Sequence, residues 1–132
     1  MTSADDIKDK IKLIAAEKWP NDFQMQLHTI NEQLSAYIEL QNISTLESND
    51  FIKPILEFSK KEWPDDYEMQ LHTFKEQVNA GIEFFNFKTD LIPQDTLEKI
   101  KLNAFSEWPD DHTMKLHSIN EQIEAYLKIR SL

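Results

Sequence analysis

The sequence predicts an all-α protein of three tandem helical hairpins, with six main helices, and three observations support this fold class. A Trp-Pro-Asn/Asp-Asp segment occurs three times, beginning at Trp19, Trp63 and Trp108, at nearly equal intervals along the chain. Apolar residues recur at helical spacing before and after each segment. The proline of each segment interrupts that spacing, so each repeat is predicted to contain two helices joined by a tight turn.

The three repeats are predicted to form one domain, because 132 residues suit a single hydrophobic core. Their approximate bounds are residues 4–42, 48–86 and 94–131. A lone hairpin cannot bury its apolar face, so neighbouring hairpins must pack on one another. Two arrangements meet this requirement: an open, α-solenoid-like array, or a closed helical bundle with pseudo-three-fold symmetry. An open solenoid usually has atypical terminal repeats with polar outer faces, but here the outer repeats match the motif as fully as the middle one does. The sequence therefore favours either the closed bundle or an open array whose ends dimerise.

The first helix of each repeat is predicted from apolar spacing and from helix-start signals. In repeat one, an apolar stripe runs from Ile7 to Ala15 and ends at Trp19. Pro54 is predicted within the first turn of its helix in repeat two, because farther along it would remove a backbone hydrogen bond. In repeat three, Asp95 and Glu98 have the spacing of a capping box at the helix start.

The turn and the start of the second helix are predicted from the residues after each tryptophan. Proline disfavours helical geometry in the residue before it, which ends the first helix near the tryptophan. The next two residues are predicted to be the N-cap and a first-turn carboxylate that complements the helix dipole. The predicted N-caps are Asn21, Asp65 and Asp110, and the first-turn aspartates are Asp22, Asp66 and Asp111.

The second helix of each repeat is predicted to bury one apolar stripe, with the tryptophan closing the hairpin from the core. A spacing of about 100° per residue assigns the stripe. The predicted stripe residues are Phe23, Leu27, Ile30, Leu34 and Ile38 in repeat one, Tyr67, Leu71, Phe74, Val78 and Ile82 in repeat two, and His112, Leu116, Ile119, Ile123 and Leu127 in repeat three.

A second face of the same helices carries identical residue types in all three repeats, although neighbouring positions vary. This face is the candidate interaction face, and an invariant glutamine flanks it. Its residues are Met25, His28, Glu32, Gln33 and Ala36, then Met69, His72, Glu76, Gln77 and Ala80, then Met114, His117, Glu121, Gln122 and Ala125. Two interpretations are open. The face packs against a neighbouring repeat, since methionine and alanine suit helix contacts, or it is presented to a partner.

The repeated histidines also raise a metal-binding alternative. In a closed bundle, His28, His72 and His117 would converge on the pseudo-axis and match the ligand count of a zinc site, with the glutamates as hydrogen-bond acceptors. The His-x-x-x-Glu spacing is common on helices, so the sequence assigns no metal and no other cofactor. A protein that binds a small ligand or metal through its His/Glu face is therefore the alternative function.

Composition narrows the classes of partner. The chain has 24 acidic and 14 basic residues, for a net charge of −10. Phosphate backbones and anionic membranes would be repelled, whereas a basic protein would be attracted. There is no cysteine and a single glycine, which excludes a cysteine nucleophile and glycine-rich phosphate loops. The N-terminal residues resemble no signal peptide, so a cytoplasmic location is expected.

These observations together favour a non-enzymatic function. The sequence predicts a small, acidic protein–protein interaction module that binds another protein or associates with its own copies. An adaptor, an inhibitor and an immunity-type protein would all fit this description. Neither a nucleic acid nor a membrane is expected as a partner.

Overall fold

A computed structural model describes residues 3–46 and 48–132 of the chain. Across these residues the fold is all-helical, with six helices and no strand, which confirms the predicted class and the number of main helices. The helices are α1 (Ala4–Lys18), α2 (Phe23–Ser44), α3 (Ile52–Glu62), α4 (Tyr67–Phe85), α5 (Gln94–Glu107) and α6 (His112–Arg130).

The helices belong to two compact units, one up to His72 and the other from Thr73 onward, so the boundary falls within α4. In the first unit, α1 packs against α2. In the second unit, α5 packs against α6. Each of these pairs consists of the two helices that flank one Trp-Pro segment.

The helix-start predictions were correct at α3 and wrong at α5. Pro54 lies in the first turn of α3, where its missing N–H has no helical partner to lose. Helix α5 begins at Gln94, with Pro93 as an N-cap that makes no side-chain hydrogen bond. Because the helix starts before Asp95, the predicted capping box does not form, and the Asp95 carboxylate accepts a hydrogen bond from the Thr96 N–H at 3.0 Å.

The second helices begin one residue later than predicted, so Asn21, Asp65 and Asp110 are not their N-caps. The Asp22 N–H donates to the Trp19 carbonyl at 3.3 Å, and this tight turn uses Asn21 as a turn residue. Asp66 and Asp111 make the equivalent bond to Trp63 and Trp108 at 3.4 Å. The caps are therefore the second residues after proline, Asp22, Asp66 and Asp111, and each accepts a hydrogen bond from the methionine N–H three residues on.

The turn carbonyls are satisfied by a long side chain from the first turn of the second helix. Gln26 donates to the Trp19 carbonyl at 2.7 Å, and Gln70 donates to the Trp63 carbonyl at 2.6 Å. In repeat three the same position holds Lys115, whose Nζ donates to the Pro109 carbonyl at 3.0 Å. A carbonyl oxygen can accept two hydrogen bonds, so the glutamine adds a second bond to the Trp19 and Trp63 carbonyls, which already accept from the Asp22 and Asp66 N–H groups.

The predicted core stripe of α2 was largely wrong. Phe23 is 74% exposed, and Leu27 and Ile38 are also exposed, while Thr29, Ala36 and Leu40 are buried. The buried side of α2 is therefore a different face from the predicted stripe, and it includes small and polar residues. Thr29 can lie there because its hydroxyl accepts a hydrogen bond from the Trp19 indole N–H at 3.1 Å.

The stripes of α4 and α6 follow the prediction more closely. Phe74, His112, Ile119 and Ile123 are buried, whereas Ile82 and Leu127 at the C-terminal ends are exposed. The core of the second unit combines α4, the α4–α5 connection, α5 and α6. It contains Phe84, Ile92, Leu97, Ile100, Ala104, Ile119 and Ile123.

The three tryptophans differ in exposure, although each was predicted to close its hairpin from the core. Trp19 and Trp108 are half-buried, and Trp63 is 38% exposed. We expect Trp63→Ala to lower the free energy of unfolding by ~2–3 kcal/mol, below the ~3–5 kcal/mol of a fully buried ring, because part of the ring already faces water. Urea unfolding measures this loss. Trp63→Phe is the control and should retain most of the stability; an equal loss in both variants would contradict a packing role.

Candidate interaction surface

Gln33, in the middle of α2, binds the start of α4 through both atoms of its side-chain amide. Its Nε2 donates to the Asp66 carboxylate at 2.9 Å, and its Oε1 accepts from the Tyr67 N–H at 2.8 Å. Asp66 is the N-cap residue, and the Tyr67 N–H is one of the donors that a helix start leaves unpaired. We call this pair of bonds a glutamine clamp.

Gln77 makes a second glutamine clamp with the same geometry. Its Nε2 donates to the Asp111 carboxylate at 2.9 Å, and its Oε1 accepts from the His112 N–H at 2.7 Å. Gln77 is buried, so neither half of its amide has water as an alternative partner. In both clamps, the glutamine of one repeat holds the start of the second helix of the next repeat.

The environment of Asp111 shows how strongly the second clamp favours a carboxylate. Burial alone would raise the pKa of this group, but hydrogen bonds from Gln77, Thr113 and Met114 outweigh burial, and the pKa lies below its usual value. The Thr113 hydroxyl donates at 2.7 Å and the Met114 N–H at 3.2 Å. The charged carboxylate is thus the form that the clamp binds.

An aromatic contact lies beside each clamp. The rings of Tyr37 and Tyr67 meet edge to face at 5.2 Å between centroids, and the rings of Phe85 and His112 meet in the same way at 5.9 Å. This arrangement is favourable because it places the positive edge of one ring against the negative face of the other. The residue after each N-cap aspartate is therefore enclosed when a preceding repeat supplies both the glutamine and a ring.

A buried His–Lys pair distinguishes repeat three. The Lys115 ammonium lies 3.2 Å from His112 Nδ1 and 4.4 Å from the centroid of the Phe105 ring. Burial and the neighbouring Lys115 lower the pKa of His112, against smaller raising effects of Asp111 and Asp110. Burial also lowers the pKa of Lys115, which Asp110 and Asp111 partly offset. Because the ammonium is a donor, Nδ1 of His112 must accept, so the neutral Nε2–H tautomer fits.

Two clefts lie beside these elements, one in each unit. The cleft of the first unit has a volume of about 410 Å³ and is lined by Ile14, Lys18, Thr29, Gln33, Trp63, Pro64, Asp65 and Asp66. The cleft of the second unit has a volume of about 370 Å³ and is lined by Phe84, Phe85, Glu98, Lys101, Leu102 and Phe105. The first cleft includes Gln33 and Asp66 of the clamp in its unit, and the second includes Phe85 of the aromatic contact in its unit.

The structure divides the candidate interaction face into two edges. The first is a packing edge: the alanine is buried in repeats one and two, and the glutamines there form the clamps. In repeat three, Gln122 and Ala125 are exposed. The methionines, Met25, Met69 and Met114, are half-buried in all repeats. The second edge is the exposed His/Glu edge, which consists of His28, Glu32, His72, Glu76, His117 and Glu121.

The His/Glu edge is arranged as pairs one helical turn apart. In repeat three, His117 Nε2 lies 2.9 Å from the Glu121 carboxylate, and both side chains are largely exposed. Over residues 3–46 and 48–132, no group of three or more His, Asp or Glu side chains is placed to hold a metal ion. The metal-site alternative therefore gains no support from the placement of these histidines.

Sequence reasoning missed the residues that the clamp glutamines bind. Asp66 and Asp111 were assigned to the helix dipole, although each is an N-cap that also binds a distant glutamine. A signal for the pairing was available, because a glutamine and the second aspartate after Trp-Pro recur together in every repeat. Lys115 was also missed, since a lysine in place of Gln26 and Gln70 resembles an ordinary surface substitution.

Comparison with protein-family models, with curated proteins and with solved structures finds no match for this chain. Within the part of the chain that the structure describes, no helix has the length and apolarity needed to cross a membrane. Evidence for function therefore comes from the geometry of the chain itself.

The glutamine clamp predicts different consequences for one substitution at two equivalent positions. Gln77→Leu should lower the free energy of unfolding by ~2–3 kcal/mol, because it leaves the Asp111 carboxylate and the His112 N–H without their partner. Gln122→Leu, at the exposed equivalent position, is the matched control and should change stability by less than ~0.5 kcal/mol in dilute solution. Chemical unfolding of both variants decides the matter, and equal losses would contradict the clamp.

The His112–Lys115 pair predicts a pH-dependent stability. The folded-state pKa of His112 is lowered, so its contribution is complete above the unfolded pKa of ~6.5 and is lost as pH falls through the folded value. The double variant His112→Tyr/Lys115→Gln, which reproduces Tyr67 and Gln70 of repeat two, should flatten this slope. Urea midpoints at about pH 7.5, 6.5 and 5.5 measure it. The control His117→Gln should keep the slope; an unchanged slope in the double variant would contradict this assignment.

Proposed function

We propose that this chain is a non-enzymatic protein–protein interaction module built as an open array of three tandem hairpins. Two clamps of the same geometry support the array, since each links the glutamine of one repeat to the N-cap of the next. Such arrays present equivalent positions of successive repeats for binding.

One observation carries the functional part of the proposal: the repeated His/Glu edge is exposed in every repeat. Several other repeated residues have a structural role: the Trp-Pro segments form the turns, Asp22, Asp66 and Asp111 are the N-caps, and Gln33 and Gln77 form the clamps. An exposed histidine–glutamate pair on a helix stabilises it by only ~0.2–0.5 kcal/mol. Stability therefore gives little reason for the same pair at the same position three times, whereas recognition of a partner does.

The charge of the chain suggests the chemistry of that partner. A net charge of −10 favours encounter with a basic protein and disfavours nucleic acid and anionic lipid. Histidine and glutamate together offer donors, acceptors and negative charge to a partner side chain. An adaptor, an inhibitor or an immunity-type protein acting in the cytoplasm would each use such a surface.

Replacement of the three edge histidines tests this function. In the variant His28→Gln/His72→Gln/His117→Gln, we expect the unfolding midpoint to stay close to that of the wild type, because the side chains are exposed, while proteins retained by the immobilised wild type are lost. The matched control changes exposed positions at which the repeats differ, Ser35→Ala/Asn79→Ala/Glu124→Ala, and should retain them. Identical retention by the histidine variant and the control would contradict a binding role for the His/Glu edge.

A further inference from the structure

We infer that a second copy of this chain docks onto the first, head to tail, through a third glutamine clamp. In this contact, Gln122 of one copy binds the Asp22 carboxylate and the Phe23 N–H of the next copy. The inference rests on the proposed function, because it takes the chain to be an open array and names its partner at one edge. What carries it is a contact that the chain already makes twice.

The C-terminal edge of the chain exposes a stripe that is covered in the other two repeats. The stripe is formed by a glutamine, by the alanine three residues on and by the large apolar residue four residues farther. Leu40 and Phe84 in the last of these positions are each 2% exposed, whereas Ile129 is 68% exposed. The stripe residues are Gln33, Ala36 and Leu40, then Gln77, Ala80 and Phe84, then Gln122, Ala125 and Ile129.

The second unit shows what this stripe contacts. Phe84 belongs to the same buried cluster as Leu97 and Ile100 of α5 and Ile119 and Ile123 of α6. The stripe of repeat two is therefore covered by the hairpin of repeat three. The matching stripe of repeat three exposes the same kinds of residue, and a hairpin of the same type would cover it.

The N-terminal edge exposes the other half of the contact. Phe23 is 74% exposed, whereas His112, which follows its N-cap in the same way, is 7% exposed. Asp22 already caps α2 by accepting from the Met25 N–H at 3.1 Å. The equivalent carboxylate oxygen of Asp66 accepts from the Met69 N–H and from Gln33 together, so a capping aspartate has room for the glutamine.

The aromatic contact beside each clamp extends the match. Tyr126 occupies in repeat three the position that Tyr37 occupies in repeat one, and Tyr37 packs edge to face on the Tyr67 ring. In the docked pair, Tyr126 of one copy would meet Phe23 of the next. The C-terminal edge thus supplies an amide and a ring, and the N-terminal edge supplies a capped helix start and a ring. Each edge carries the groups that the other would bind.

The contact between copies is expected to be weaker than the contacts within the chain. Lys8 stands where repeats two and three have Ile52 and Leu97, so part of the apolar surface is replaced by a charged side chain. Because the two docking surfaces differ, the contact is heterologous, and repeated docking builds a linear chain of copies unless the rotation closes a ring. Association should therefore depend strongly on concentration.

Sedimentation of the purified protein over a range of concentration tests the inference. We expect the weight-average mass to rise between about 10 μM and 1 mM, the range of a weak interface. Phe23→Glu, at the N-terminal edge, and Ile129→Glu, at the C-terminal edge, should each abolish the rise. Both residues are exposed, so the unfolding midpoints should stay unchanged. Leu91→Glu, at an exposed apolar residue outside both edges, is the matched control and should associate like the wild type.

Mixing the two edge variants distinguishes head-to-tail docking from other self-association. Phe23→Glu keeps its C-terminal edge and Ile129→Glu keeps its N-terminal edge, so an equimolar mixture should form a pair and stop there. A symmetric dimer would persist in at least one single variant or would not be restored by mixing. A constant single-chain mass for the wild type up to about 1 mM, or a mixture without the pair, would overturn the inference. Should either variant unfold, Leu27→Glu and Gln122→Glu replace it at the same edges.

This experiment is independent of the test of the His/Glu edge. It uses only the purified chain and leaves all three edge histidines in place. A failure of head-to-tail docking with retained binding at the His/Glu edge would remove the second copy as the partner and leave the proposed function. Loss of binding at the His/Glu edge with intact docking would remove that edge as a binding surface and leave the docking of a second copy.

Discussion

The arrangement of this chain depends on one side-chain amide that satisfies two polar groups at the start of the next helix. A helix start leaves N–H groups unpaired, and a capping carboxylate carries a charge that burial disfavours. Glutamine serves both, because its N–H₂ binds the carboxylate while its carbonyl accepts the first helical N–H. Leucine could do neither, and glutamate would bring a second negative charge to the aspartate. The clamp can thus be buried at a repeat junction with its polar groups satisfied.

Once the clamp fixes a helix start, the neighbouring positions can change chemistry without changing the turn. Tyr67 and Gln70 in repeat two become His112 and Lys115 in repeat three. The long side chain still donates to the turn carbonyl. The ammonium gains contact with aromatic rings at the cost of burying a cation, and burial together with this cation lowers the pKa of the neighbouring imidazole. The same backbone geometry therefore tolerates a pH-insensitive pair in one repeat and a pH-sensitive pair in the next.

The helices could be predicted from the sequence because their signals are local. Apolar spacing, the Trp-Pro break and the position of Pro54 all act within a few residues, and the six helices follow from them. The buried side of α2 could not be predicted in this way, because Gln33 and Thr29 are polar and lie outside its apolar stripe. Gln33 becomes a packing residue only through Asp66 and Tyr67, and Thr29 only through Trp19. Contacts of that kind are invisible to periodicity.

The long-range contacts of the candidate site could not be predicted from periodicity either, but identity among the repeats pointed to the residues involved. Identity among three repeats singled out the clamp glutamines and the His/Glu edge together, although only the glutamines pair with a distant helix start. Apolar packing alone would tolerate shifts of one repeat against the next, whereas an amide that needs a carboxylate and an N–H at fixed positions does not. The clamp therefore specifies register. A protein that docked on an exposed clamp glutamine would have to present a capped helix start in the same geometry, whereas one that bound the His/Glu edge would need only matching charge and hydrogen-bonding groups.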